Sequence, residues 1–507
     1  MTQVRDDRQH FVASTWYLGG AQLVGTAATY ALLYTLTRLG TETYGLWVLT
    51  LLVASYLTPW ATLGLASALI RFCPALPSFA HQAGAYRLAS RVSGYGSLFI
   101  ALILAAASRP LAAGFLGGEA HWPLVVLAAA LFPLEAQFQL GNSFLQVQER
   151  LGAYAALTSC RYLAEVGALA VLVCWLPRLE VLLLARVAIL GLLVVIQHLL
   201  ACKGVASAEL PEPRAEVRRY LEFGLPMIPA TFIWALIMGV DRFMLNRLGD
   251  LTQVAVYNAA DAVAVFLLNY TRPINGMLQP RLANLIDRDP AAARRYLGAA
   301  IKFLGILLIP GVVGLAMVAG PVIGLVGHRQ FGGAAPMVPV LGLAYLLIGL
   351  SNPLYHLVFL RRGGRVFLGL YSLCLGVNLA LNGLLIPLGG GMGAALATLG
   401  AFAVYGLGLL VLSEPATLAA VRGQWRGLVV VAACSLVMGA VLLAARQPEV
   451  LGESLLLVPL GAGVYALLLA ATGLVSREEW QLLAGPALRL WQQARSGRES
   501  LRFLWSK

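Results

Sequence analysis

Fourteen times along its length this sequence runs for about 20 residues with almost no charge. A helix rises about 1.5 Å per residue, so each run is long enough to cross roughly 30 Å of hydrocarbon. The runs fall near 14–37, 45–70, 93–114, 122–144, 155–175, 181–201, 223–246, 254–278, 301–323, 337–360, 366–387, 393–413, 427–445 and 454–475. Inside a bilayer every backbone N–H and C=O must be satisfied by the protein itself, which leaves only helices and closed barrels. A barrel strand would alternate with a period of two, and these runs do not. The expected fold class is therefore an all-α polytopic membrane protein of about 14 transmembrane helices. With 59% hydrophobic and 12% charged residues, the chain is too apolar for a soluble globular domain.

The net charge of +13 would point to nucleic acid in a soluble protein, but its placement gives another reason. If the N-terminus is inside, the cytoplasmic segments hold 26 of the 36 Lys and Arg and the outside loops hold six. That bias follows the positive-inside rule and predicts both termini in the cytoplasm, with no nucleic-acid partner. The clusters that decide it are Arg218-Arg219, Arg294-Arg295 and Arg361-Arg362 with Arg365. The charged start, "MTQVRDDRQHF", leads into an apolar run too long for a cleavable signal and reads as the approach to a first span. Cys73, Cys160, Cys174, Cys202, Cys374 and Cys434 stand singly with no CxxC spacing, so neither a disulfide nor a metal site is expected.

One short string appears twice. Arg38-Leu39-Gly40 ends the first span and Arg247-Leu248-Gly249 ends the seventh; Arg71 and Arg281 then close the second and eighth. Six spans separate the copies, so they are parallel repeats about an axis along the membrane normal. The expected organisation is an N-terminal lobe at 1–202 (spans one to six) and a cytoplasmic linker at 203–222. A C-terminal lobe at 223–413 (spans seven to twelve), two extra helices at 414–475 and a cytoplasmic tail at 476–507 follow. The tail mixes Arg with Trp480, Trp491 and Trp505, as a helix lying on the membrane surface would; a solvated end fits as well.

No phosphate-binding loop, HExxH or GxSxG occurs, so no catalytic residue is assigned and the chain is not expected to be an enzyme. What remains is charge inside spans: Glu135, Arg161, Glu165, Arg186, Asp241, Arg242, Asp261 and Arg272. At about 3 kcal/mol each in lipid, eight would cost roughly 24 kcal/mol, more than the roughly 5–15 kcal/mol that holds a typical protein folded. They must face protein or water. Helical phase agrees. Glu135, Gln139, Asn142 and Gln146 share one face of the fourth span, and Tyr154, Thr158, Arg161 and Glu165 share one of the fifth. Asn258, Asp261, Arg272, Asn275 and Gln279 lie on an arc of the eighth; Gln22 with three threonines lines the first, and Tyr371, Asn378 and Asn382 the eleventh. Five wet faces predict a shared polar cavity, although a single such stripe is more often helix–helix glue.

Arg186 and Arg272 have no acid of their own helix nearby and are the foremost candidates to grip an anion, with Arg161, Arg242, Arg71 and Arg281 behind them. Arg161 and Glu165, at i,i+4, can neutralise each other, and Arg71 and Arg281 suit simple anchoring equally well. Asp241 and Arg242 are neighbours, so they are expected to point apart, with Arg242 in reach of the headgroups. The carboxylates Glu135, Glu165, Asp241 and Asp261 are candidates for ion coupling, and each suits an ion-pair role at least as well.

"RLGTETYGLWVL", "LGLASALIRF" (63–72) and "RRYLEFGLPMIPATFIWALIMGVDRFMLNRLG" (218–249) resemble bacterial polysaccharide flippases of the Wzx type, as do "IPLGGGMGAALAT" (386–398) and "SREEW" (476–480). Those flippases belong to the multidrug/oligosaccharidyl-lipid/polysaccharide exporter superfamily, with multidrug exporters and the lipid II flippase. The resemblance implies alternating access between two lobes in the bacterial cytoplasmic membrane. It implies an undecaprenyl-diphosphate-linked oligosaccharide as cargo, a cationic central cavity, no cofactor, and an H⁺ or Na⁺ gradient as the drive. Membrane lipids would surround it, with a polysaccharide polymerase and glycosyltransferases of the same pathway as partners. Two departures stand out. Ala255-Val256-Tyr257 replaces a common Gly-Ile-Tyr, and residues 15–37 lack the Arg-Asp pair of the lipid II flippase, so specificity for peptidoglycan precursors does not carry over. A multidrug exporter of the same fold and a membrane polysaccharide polymerase or ligase remain the competing readings.

Overall fold

A computed structural model describes residue 20 and residues 23–474, apart from 202–211, 287, 328 and 446–450. Every regular element among them is a helix. Eleven are long and apolar enough to cross a membrane, and shorter apolar helices lie at Leu23–Thr37, Leu65–Ala75 and Leu457–Ala471.

The first group comprises α1 (Leu23–Thr37), α2 (Thr41–Thr62), α3 (Leu65–Phe72), α4 (Phe79–Ala106), α5 (Ser108–Phe115), α6 (Trp122–Val147), α7 (Leu151–Trp175) and α8 (Leu179–Ala201). Helix α6 is its hub. It packs on α2, α4 and α8 and buries Leu124, Leu131, Phe132 and Phe144, so a helix apolar on most of its faces sits where it has neighbours on most sides. The second group comprises α9 (Pro213–Gly224), α10 (Ile228–Ile237), α11 (Val240–Leu248), α12 (Leu251–Ala264), α13 (Phe266–Ile286), α14 (Pro290–Gly327), α15 (Met337–Arg362) and α16 (Arg365–Leu412). Its hub is α15, which packs on α13, α14 and α16. A short α17 (Pro415–Arg422) leads to α18 (Trp425–Ala445) and α19 (Leu451–Ala471), which lie along α14.

The seam between the groups is built on α2, which packs against both α10 and α12. The corners that carry the repeated Arg-Leu-Gly lead into α2 and α12, and these helices meet there. The Thr41 and Thr252 hydroxyls stand 3.3 Å apart, and a Cβ on Gly45 would come within 2.5 Å of the Leu251 carbonyl.

Four expected spans are broken: the third breaks at Ala107, between α4 and α5, and the other three where the apolar run gives no warning. The second breaks at Leu63 (φ 50) and Gly64 (φ 69), between α2 and α3. Gly64 and Gly224 touch backbone to backbone across the seam, and a Cβ on either would overlap the other. The seventh breaks at Gly239, between α10 and α11, where Tyr56 and Leu52 of α2 press so closely that a Cβ would have 2.7 Å to the Tyr56 hydroxyl. The eighth breaks at Val265, between α12 and α13. In contrast, the expected separation of spans eleven and twelve lies inside α16. Gly390 (φ 53, ψ −130) reverses the chain there, and Gly400 faces Leu381 while Gly408 faces Leu370, so the two halves run antiparallel.

The linker expected at 203–222 is part helix. Residues 202–211 lie outside the described residues, while α9 packs on α3 and α4. The surface helix expected in the tail lies outside the described residues as well.

Candidate functional site

The polar faces of α6 and α7 converge with α8 on a cavity of about 540 Å³. Its wall includes Glu135, Gln139 and Asn142 from α6, Tyr154, Thr158 and Arg161 from α7, Arg186 from α8, and Ser55 and Thr58 from α2. One residue per helical turn brings each set into line, which is why the first two were legible as stripes.

Four charges organise this cavity. Arg161 faces Glu135 fork to fork, Nη1 to Oε2 at 2.9 Å and Nη2 to Oε1 at 2.5 Å, and its Nε donates to Glu165 at 3.0 Å. Arg186 stands farther off, with Nη2 3.5 Å from Glu135 and Nη1 3.7 Å from Glu165. Its Nε is buried and has no hydrogen-bond partner among the described residues; neither has the Thr158 hydroxyl. Arg186, chosen from the sequence for having no acid on its own helix, thus finds two acids on neighbouring helices. Two guanidiniums and two carboxylates cancel, so the cavity is polar and formally neutral.

A second cluster joins α11, α12, α15 and α16. Arg242 is its centre, bonded to Asp241 Oδ1 at 2.8 Å, Asp261 Oδ2 at 2.5 Å, Asn258 Oδ1 at 3.2 Å and the Met238 carbonyl at 2.9 Å. The Tyr257 hydroxyl donates to Asp241 and the Tyr345 hydroxyl to Asp261, while Thr398 donates to Asp241 at 3.3 Å. Asn258 reaches over the seam and donates to the Tyr44 hydroxyl on α2 at 2.8 Å. Asp241, Arg242 and Tyr257 are buried. This corrects the expectation that Asp241 and Arg242 point apart with Arg242 at the headgroups. The chain breaks at Gly239, so Asp241 sits in the first turn of α11, accepts from the Arg242 N–H at 2.9 Å and curls back onto its neighbour's side chain. Tyr345, Tyr257, Thr398 and Tyr44 were not singled out, because hydroxyls inside apolar runs carry no periodic signal; their only cue is polarity where none is needed.

The remaining predicted residues scatter. Arg71 stacks on Phe223 from across the seam, with its guanidinium 4.7 Å from the ring, and Arg281 stacks on Tyr296 at 5.0 Å. Asn275 donates to Thr271 at 3.2 Å. Asn378 and Asn382 are fully buried in α16 and bond to each other at 3.0 Å, away from the cavity wall. Gln22 and the side chain of Arg272 lie outside the described residues.

A third feature is apolar. A groove of about 580 Å³ runs between α14, α18 and α19, lined by Leu308, Leu315, Val318, Met438, Leu457 and Tyr465. It reaches the seam at Tyr30 of α1 and Phe266 of α13, whose rings meet edge to face at 5.8 Å.

Comparison with known proteins places these features in a family. The model of the family described as polysaccharide biosynthesis protein matches residues 35–336, more than half of the chain. Probable flippase AglR of Haloferax volcanii is 28% identical over 171 residues, covering 32% of this chain and 34% of that protein, so the match spans about a third of the relative. Among solved structures, the lipid II flippase MurJ in an inward closed conformation superposes with a TM-score of 0.71 at 13% identity, over 91% of this chain and 99% of that one. The Vibrio cholerae MATE transporter VcmN superposes with a TM-score of 0.58 at 14% identity, over 83% and 99%. Those two likenesses are of fold. The chain belongs to the polysaccharide biosynthesis protein family and has the fold shared by MurJ and the MATE transporters.

Proposed function

We propose that this member of the polysaccharide biosynthesis protein family is a flippase. Its cargo is an undecaprenyl-diphosphate-linked oligosaccharide destined for surface polysaccharide such as O-antigen, capsule or exopolysaccharide. It carries the cargo from the inner to the outer leaflet of the bacterial cytoplasmic membrane by alternating access of its two lobes. The observation that carries the reading is the pairing of a polar cavity holding two arginines with an apolar groove that reaches the seam. A sugar–diphosphate head cannot cross hydrocarbon unaided, while a polyprenyl tail is stable only there. The head occupies the cavity, where Arg161 and Arg186 meet its phosphates and Gln139, Asn142 and Thr158 meet its hydroxyls; the tail lies in the groove.

The drive is an ion gradient or removal of product outside. Four carboxylates inside the helices, Glu135, Glu165, Asp241 and Asp261, are the candidates to take up H⁺ or Na⁺. Both termini face the cytoplasm on the charge bias, and glycosyltransferases and a polymerase of the same pathway supply and consume the cargo.

Deleting the gene tests this. Lipid-linked oligosaccharide trapped on the inner leaflet supports flipping, whereas unpolymerised units on the outside support a polymerase. Export of organic cations by purified protein, with no effect on glycolipid, would move the reading to a multidrug exporter.

A further inference from the structure

We propose that Glu135 is a built-in competitor for the cargo's phosphate, and that it sets a threshold which a diphosphate clears and a monophosphate does not. The inference rests on the cavity being the headgroup site.

Arg161 has no open fork. Its two terminal nitrogens are both taken by Glu135, and its Nε by Glu165. The two acids are not alike. The Glu165 side chain is 2% exposed and holds the edge of Arg161 from within the wall, whereas that of Glu135 is 25% exposed and faces the void. A phosphate presents a pair of oxygens much as a carboxylate does, so the place it would occupy on Arg161 is the place Glu135 now fills.

Arg186 is differently poised. Its contacts are long, at 3.5 and 3.7 Å, and its buried Nε has no partner among the described residues. Its two terminal nitrogens make only these long contacts, so they have donor capacity to spare for a ligand. Glu135 Oε1 already stands 3.5 Å from Arg186 Nη2, so a small side-chain swing moves the carboxylate from one guanidinium to the other without leaving it unpaired.

The consequence is a threshold. A carboxylate tethered beside the fork acts at a high effective concentration. A single phosphate that takes its place exchanges one charged fork contact for another and gains little. A diphosphate makes the same exchange and brings a second phosphate, which reaches the spare donors of Arg186. Only the second ligand ends with more contacts than it displaced. The glycan does not enter this comparison, so Glu135 sets the threshold, Arg186 reads the linkage and the neutral wall reads the sugar.

The test uses the purified full chain in nanodiscs, titrated with farnesyl diphosphate and farnesyl monophosphate by calorimetry. The wild type should prefer the diphosphate by about tenfold or more. Glu135→Gln lifts the same displacement cost from both probes and should raise both affinities about tenfold, so that the monophosphate passes the threshold while the preference stays within about threefold. Should removal of the charge unsettle the fold, Glu135→Asp draws the carboxylate back by one methylene and should give a smaller gain for both probes. Affinities unchanged in both variants, or a parallel loss of both probes, overturn the role of Glu135 while the headgroup reading stands. A wild type that binds neither probe removes the headgroup reading, and this inference with it.

Discussion

The two charge clusters use the same residue types to opposite ends. Around Arg161 and Arg186, two cations balance two acids beside a void, and one cation is loosely held. Around Arg242, one cation serves two acids, every fork position is filled, and tyrosines from α12 and α15 close over the carboxylates. The first arrangement leaves donors for a ligand to claim. The second has a partner on every guanidinium nitrogen and ties α11, α12, α15 and α16 together, with a hydrogen bond from Asn258 to Tyr44 across the seam. Spare hydrogen-bonding capacity, rather than charge itself, separates a binding wall from a structural knot.

That contrast can be broken by comparing stability with transport. The largest loss of stability is expected for Arg242→Ala, which strands Asp241 and Asp261 without their shared cation and should cost about 3–5 kcal/mol in thermal unfolding of the purified protein. A variant as stable as wild type would show that the knot is not structural. Gly64→Ala comes next. It forces a Cβ into the backbone of Gly224 at a positive φ and should cost about 1–3 kcal/mol of the contact at that end of the seam. Its readout is Cys73, which is fully buried at the far end of α3, in the cluster where α3 packs on α9, and should react faster with maleimide in a background lacking Cys160, Cys174 and Cys202; an unchanged rate would mean the contact does not hold the seam shut.

Asn258→Leu should weaken the bridge to Tyr44 by about 1 kcal/mol, seen as a broader distribution of spin-label distances between α2 and α12. An unaltered distribution would leave the bridge without a role. The smallest effect on stability is expected for Arg186→Ala. Glu135 and Glu165 keep Arg161 as their partner, so unfolding should shift by less than about 1 kcal/mol while transport falls by about tenfold or more. Equal losses of stability and transport would erase the distinction between the clusters.

Much of the first cluster was legible in the sequence and little of the second was. Glu135, Gln139, Asn142 and Tyr154, Thr158, Arg161 repeat at helical spacing on unbroken helices, so their shared faces could be read from periodicity. That Arg186 meets acids of α6 and α7 depends on how α8 packs, which no local pattern encodes. The second cluster was misread at its root. The run through Gly239 is uniformly apolar, so a continuous helix was expected, and on a continuous helix Asp241 and Arg242 would diverge. The break comes from Tyr56 on another helix, almost 200 residues earlier in the chain. Gly64 is the same case: a glycine was visible, but the backbone that excludes a Cβ there is that of Gly224 across the seam.

The central claim is that the cavity of the first lobe receives an anionic head. It is tested most directly by reconstituting the protein in vesicles with a fluorescent undecaprenyl-diphosphate-linked sugar and following its appearance in the opposite leaflet. The account predicts rapid exchange with wild type and almost none with folded Arg161→Ala protein. Exchange by Arg161→Ala at the wild-type rate would contradict it.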